Sequence, residues 1–214
     1  MTQMDVSLTD YGLAAECVCF AYLMARIRAR TSSLPAVFML FFFSIAVAAA
    51  AGGTVHGFFL DKSSPGYRIL WPFTLIVIGI TALSAVHIST ALLFSSSTAV
   101  YINRVALAVF LAYFLIVLFI RRDFLIAILG YLPALIFIGV AFLLAYRRQK
   151  KPAFLMGFLG VCIMLFAAAA QQAKIGINPR YFDHNALYHV LQASGLLMVF
   201  LAARQTTSSG DPIH

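Results

Sequence analysis

The sequence predicts an all-α membrane protein, a single bundle of seven transmembrane helices. Three observations carry that prediction. Of 214 residues, 63% are hydrophobic and only 10% are charged, and the mean hydropathy is +0.95. That is too little charge to cover a soluble domain of this length. The apolar residues fall into seven stretches, each near the roughly 20 residues that a bilayer-spanning helix needs. Within them the apolar runs are continuous, as in Leu75-Ile76-Val77-Ile78 and Leu135-Ile136-Phe137-Ile138. Strands of a membrane barrel would alternate instead, and a helix satisfies its own backbone in lipid.

The spans read as 10–27, 36–60, 69–94, 99–119, 124–146, 152–174 and 184–203. The first holds Glu16, Cys17 and Cys19, and nothing before it looks like a cleavable leader. Its cysteines are two apart and face different ways, so they suggest neither a disulfide nor a CxxC site. Pro35, Pro72 and Pro152 sit near the starts of the second, third and sixth spans, where a missing N–H does least harm. Pro133 falls inside the fifth span and should kink it. Small residues at 46–53 and 167–170 should let the second and sixth spans approach their neighbours. After the last span, residues 205–214 read as a flexible tail.

Basic residues set the expected orientation. Arg26, Arg28 and Arg30, then Arg147, Arg148, Lys150 and Lys151, crowd two loops on one side, with Arg104 and Arg204. The other side has Lys62, Arg68, Arg121, Arg122, Lys174 and Arg180. The N-terminus is therefore expected outside and the C-terminus in the cytoplasm of a bacterial inner membrane or a plasma membrane. The net charge of +8 is then a topology signal with some attraction to anionic headgroups. It is not a nucleic-acid signal, because no basic surface with interleaved stacking aromatics exists.

Depth arithmetic groups the few polar side chains. At about 1.5 Å per residue, Glu16 lies about 9 Å inside the first span and His56 about 6 Å from the end of the second. His189 lies about 9 Å into the seventh, and Gln171, Gln172 and Tyr113 fall in the same outer layer. His87, about 24 Å from that boundary, should stand outside the group. Asn185, His189 and Gln192 are spaced i, i+4, i+7 and share a face. Asp183 stands where it can cap the seventh helix. His184 reaches the group only if the chain there is not yet helical.

Histidines on separate helices can converge in a bundle and bind zinc, which in a catalytic site keeps three protein ligands and one open position. Such a zinc would activate water and polarise an ester or amide carbonyl. The candidate ligands are His56, His184 and His189, and Glu16 or Asp183 could orient a histidine or accept a proton.

Seven spans, a histidine near the end of the second and the run Asp183-His184-Asn185-Ala186-Leu187-Tyr188-His189 opening the seventh resemble the CREST superfamily. That group includes alkaline ceramidases and progestin/adiponectin-type receptors. The resemblance implies zinc held by a helix-two histidine and an HxxxH pair, with a serine and an aspartate assisting lipid amide hydrolysis. His56 and His189 match that pattern. Asn185 stands where the first histidine of the pair belongs, and Gly52 where the serine belongs. Asp61 follows the second span.

The expected function is thus metal-dependent hydrolysis of a lipid amide or ester, with membrane lipids as partners. The alternative is a non-enzymatic ligand-binding or small transport protein using the same pocket. Haem binding is a third option, set back by the depth of His87 and the lack of a c-type attachment motif. Retinal is disfavoured because the seventh span has no lysine.

Overall fold

The computed structural model describes residues 3–27, 33–178 and 181–208. It contains seven helices: α1 (Met4–Ala25), α2 (Leu34–Phe58), α3 (Pro65–Leu93), α4 (Ser96–Phe119), α5 (Phe124–Gln149), α6 (Pro152–Gln172) and α7 (His184–Ser208). All seven are long and apolar enough to cross a membrane. The chain is a multi-pass helical bundle. Arg28, Arg30 and Arg180, which entered the charge tally, lie outside the described residues, as do residues 209–214 of the expected tail. Residues 205–208 of that tail belong to α7.

Four helices start earlier than expected, α1 and α3 by the most, and those two each for a local reason. Helix α3 begins at Pro65, with the Ser64 hydroxyl accepting from the Tyr67 amide at 3.2 Å. Pro65 is therefore the first-turn proline, and Pro72 lies inside the helix. Helix α1 begins at Met4, well before the apolar run. Its early polar residues are satisfied by neighbours. The Gln3 amide donates to the His56 carbonyl at 3.2 Å, and the Ser7 hydroxyl donates to the Gly53 carbonyl at 2.8 Å. Polar side chains with tertiary partners can continue a membrane helix that hydropathy alone would cut short.

Small residues set the closest helix crossings. A Cβ on Gly53 would lie 2.8 Å from Asp10 Cβ, so α1 packs directly onto the α2 backbone. Helices α6 and α7 cross at Gly160 and Gly195, where an added Cβ would meet the opposing carbonyl at 2.5–2.6 Å. In lipid, where no hydrophobic drive brings helices together, such contact area is the main source of association.

Helices α1, α2, α3, α5, α6 and α7 close a ring through successive contacts, with α4 outside it against α3. Phe20, Phe42 and Phe200 stack in the core, Phe20 on Phe200 at 4.3 Å and nearly parallel. Only Tyr113 and Val117 of α4 are buried, and the Tyr113 hydroxyl donates to the Leu75 carbonyl at 2.6 Å. The two ends differ in charge. Asp5, Asp10, Asp61, Asp123 and Asp183 all lie toward the end where α1, α3, α5 and α7 begin, here called the carboxylate end.

Candidate functional site

A cavity of about 530 Å³ occupies the carboxylate half of the ring, and all six ring helices contribute to its wall. Most of that wall is apolar, from Leu13, Ile45, Ile78, Leu135 and Met164. The small residues Ala48, Ala49 and Gly52 of α2 and Ala168 and Ala169 of α6 also line it. The tracts expected only to bring helices together therefore also leave the space between them. Leu132, Ala169 and Gln172 are both exposed and part of the wall, on its α5–α6 side.

The polar part of the wall comes from Asp10, His56, Gln171, Gln172, Asn185, His189 and Gln192, and Trp71, Thr74, Thr81, Tyr131 and Tyr188 also line it. Asn185, His189 and Gln192 do share the face of α7 that meets the cavity, as their spacing implies. The Gln171 amide donates to Asn185 Oδ1 at 3.0 Å, tying the end of α6 to the start of α7.

His189 is held from both sides by α1. Its Nε2 lies 3.2 Å from Asp10 Oδ1, and its Nδ1 lies 3.2 Å from the Thr9 hydroxyl. Thr9 directs its own proton to the carbonyls of Val6 and Asp5, at 3.0 and 3.1 Å. Thr9 either accepts from Nδ1 or turns its proton toward it, according to the imidazole tautomer. At Nε2, two bare acceptors would repel at 3.2 Å, so a proton lies between His189 and Asp10. It is carried by an Nε2–H imidazole or imidazolium beside carboxylate, or by a carboxylic acid beside imidazole. Asp10 is 4% exposed, and its Oδ2 is buried with no hydrogen-bond partner.

His56 is arranged similarly. Its Nδ1 meets Gln3 Oε1 at 2.8 Å, so it donates there and turns a lone pair onto Nε2. Both cavity histidines are thus held at Nδ1 by side-chain oxygens near the start of the chain, Thr9 on α1 and Gln3 just before it.

The remaining expected site residues fall elsewhere. Glu16 is absent from the cavity wall; it sits deeper on α1, half-buried, with Oε2 lacking a partner. Because α1 starts at Met4, the layer assigned to Glu16 belongs to Asp10. His184 does not line the cavity either, and its Nδ1 is 3.9 Å from Asp183 Oδ2. It is the first residue of the helix, so its side chain leaves on a different face from His189. Asp183 caps α7, its Oδ1 accepting from the Asn185 and Ala186 amides at 2.8 and 2.9 Å. Tyr113 lies in the contact of α4 with α3, away from this cavity. His87 is also outside it, bonded through Nδ1 to the Leu83 carbonyl at 2.9 Å. Asp61 is an exposed loop residue whose carboxyl is held below the usual carboxylate range by the Ser63 hydroxyl and amide.

Sequence reasoning missed Asp10, Thr9 and Gln3. The signal was present: Gln3, Ser7 and Asp10 have the same i, i+4, i+7 spacing that drew attention to α7.

A family of unknown function, DUF6962, matches residues 6–208, nearly the whole described chain. The chain belongs to DUF6962. No curated protein and no solved structure matches it. The matched region of this DUF6962 member holds every helix that builds the cavity, including the Asp10–His189 pair.

A zinc ion, which the CREST resemblance implies, can be tested against these residues. The donors suit it in kind: two imidazole Nε2 atoms and a carboxylate with an unpartnered oxygen, each histidine anchored through its other nitrogen. Their spacing does not suit it. Among the described residues, no group of three or more His, Cys, Asp or Glu is placed to hold a metal ion. His189 Nε2 is also already engaged with Asp10.

Proposed function

We propose that this DUF6962 chain is a membrane protein that binds an amphiphilic, lipid-derived molecule within the bundle. Its apolar part lies among Leu13, Ile45, Leu135 and Met164, and its polar group is directed to Asp10, His56 and His189. One observation carries this reading: a cavity of about 530 Å³ that is apolar over most of its wall, with a few polar groups, Asp10, His56 and His189 among them. Ligand sites have that composition, a mainly apolar cleft with a few placed polar groups. The Asp10–His189 pair shares one proton, and the unpartnered Asp10 Oδ2 gives a ligand's polar group a hydrogen-bonding site in the membrane interior.

The test is native mass spectrometry of protein purified in mild detergent, with lipid extraction of the same sample. A discrete amphiphile should co-purify with the wild type and be depleted in Ala168→Phe, which fills the cavity. Equal retention by both proteins would overturn the reading, provided that both elute as single species.

A second reading is hydrolysis of an ester or amide in the bound molecule, with zinc at His56, His189 and Asp10. His56, anchored through Nδ1 with a lone pair on Nε2, favours it. It requires His56 to close on the pair, and a zinc content near one per chain that is lost in His189→Ala and Asp10→Asn. A wild type without zinc leaves the binding reading alone.

A further inference from the structure

We propose that the groove between α3, α4 and α5 holds an acyl chain of an anionic phospholipid whose headgroup rests against the arginine-rich end of α5. This inference does not depend on the cavity described above, which involves other surfaces.

The groove follows from how α4 is attached. Helix α4 packs along α3 and touches α5 at few points. Its main anchor is Tyr113, which fills the space left by Gly79 and Gly130. Beside Tyr113, α3, α4 and α5 leave a cleft of about 350 Å³ whose wall includes Ala82, Val86, Ala106, Val109 and Phe137. Apart from Tyr113, its wall is aliphatic, aromatic or glycine. The outer sides of α4 and α5 are strongly exposed, with Val109 at 63% and Leu129 at 62%. In a membrane this cleft faces acyl chains, so its occupant is a lipid. The remaining issue is which one.

Charge answers that. At the end where α1, α3, α5 and α7 finish, the described residues include Arg26, Arg147, Arg148, Lys150, Lys151 and Arg204, and no carboxylate. Arg147 and Arg148 are exposed. Arg148 donates to the Leu93 carbonyl at 3.2 Å, which fixes its guanidinium where α3 ends beside α5. That is the point from which a chain would run up between α4 and α5. Arg104 lies exposed on α4, and its long side chain can reach toward the same end.

The reach agrees. Val86 lies about 10 Å from the end of α3, and Phe137 about 15 Å from Arg147, at helical rise. One leaflet of hydrocarbon is about 15 Å deep. A headgroup phosphate at Arg147 and Arg148 therefore places the end of its chain in the near part of the groove, beside Val86 and Phe137, while Leu129 and Gly130 of the same wall lie about 25–27 Å from Arg147, beyond that leaflet. A zwitterionic lipid fits the groove equally well but gains little from the basic end, so the site should select by headgroup charge.

The experiment is competition between phosphatidylglycerol and phosphatidylcholine of matched chains, read by native mass spectrometry of the purified full-length chain. The wild type should retain phosphatidylglycerol in clear preference. The preference should fall about fivefold for each arginine removed, in Arg147→Gln and in Arg147→Gln/Arg148→Gln. Ala106→Trp should lower retention of both lipids by filling the groove, while leaving any amphiphile in the six-helix cavity in place. If the double variant does not elute as a single species, Arg147→Gln alone carries the charge test. Equal retention of the two lipids by the wild type, an unchanged preference in Arg147→Gln, or unchanged retention in Ala106→Trp would each overturn the proposal.

Discussion

Helices α1 and α4 are both long enough to cross a membrane, yet they contribute opposite things. Helix α4 is far more apolar than α1, and only 11% of its most apolar window is buried. It adds little beyond the Tyr113 anchor. Helix α1 is the least apolar of the seven and 39% buried over the corresponding window. It supplies Gln3, Thr9 and Asp10, the groups that orient both cavity histidines. Apolarity marks what lipid can touch, and polar residues that survive inside a span mark what other helices hold. The helix with the weaker hydropathy signal carries the chemistry.

The strongest way to break this comparison is to remove one member of the buried pair. Asp10→Ala leaves His189 Nε2 without its partner inside the bundle, at a site where both side chains are nearly inaccessible. Breaking a buried pair costs about 1–3 kcal/mol when it is neutral and about 3–5 kcal/mol when it is charged, so thermal unfolding in detergent should shift down by several degrees. Leu111→Ala on the exposed side of α4, where Leu111 is 51% exposed, should change stability by less than about 0.5 kcal/mol. Similar shifts for the two variants would mean that the polar seam is no more structural than the lipid face.

A smaller effect separates two glycines of the same neighbourhood. Gly53→Leu would push a side chain into Asp10 Cβ and the Ser7 carbonyl, at 2.8 and 3.3 Å from its first carbon. Overpacking of this kind costs about 1–3 kcal/mol, and it should also disturb the Asp10–His189 geometry. Gly12→Leu meets nothing within 4 Å and should be neutral or slightly stabilising, since leucine is the better helix former by about 0.5–1 kcal/mol. Paired unfolding curves of the two variants check this. A tolerated Gly53→Leu would show that α1 can move off α2.

These contrasts explain what could be read in the sequence. Seven helices were legible because lipid imposes one rule on every span. The α7 face of Asn185, His189 and Gln192 was legible because helical spacing alone places it. The α1 face was not, because the start of α1 was judged by hydropathy. Its polar residues are paid for by partners such as the Gly53 and His56 carbonyls, which are distant in the chain. Starting the helix late moved the assigned layer from Asp10 to Glu16. His184 and Asp183 drew attention because they are polar at a helix mouth, which is also where capping and solvated residues gather.

The smallest expected effect is at Asp61, in the loop joining α2 to α3, and it tests whether this carboxylate belongs with the site. The Ser63 hydroxyl and amide donate to it at 2.7–2.9 Å and hold its carboxyl below the usual range. A carboxyl depressed in the folded state adds stability that is fully present above its unfolded value, near 3.9, and is lost as the pH falls through the folded value. The difference between wild type and Asp61→Asn should therefore be small and constant from about pH 5 upward, should shrink as the pH falls through the carboxylate range, and should vanish only below the folded value. Unfolding curves at pH 7, 5 and 3.5 check it. Because Asp61 is exposed and bonded only to its own loop, Asp61→Asn should leave the cavity ligand and any bound zinc unchanged at pH 7. Loss of either would place Asp61 in the site and would match it to the assisting aspartate that the CREST resemblance implies.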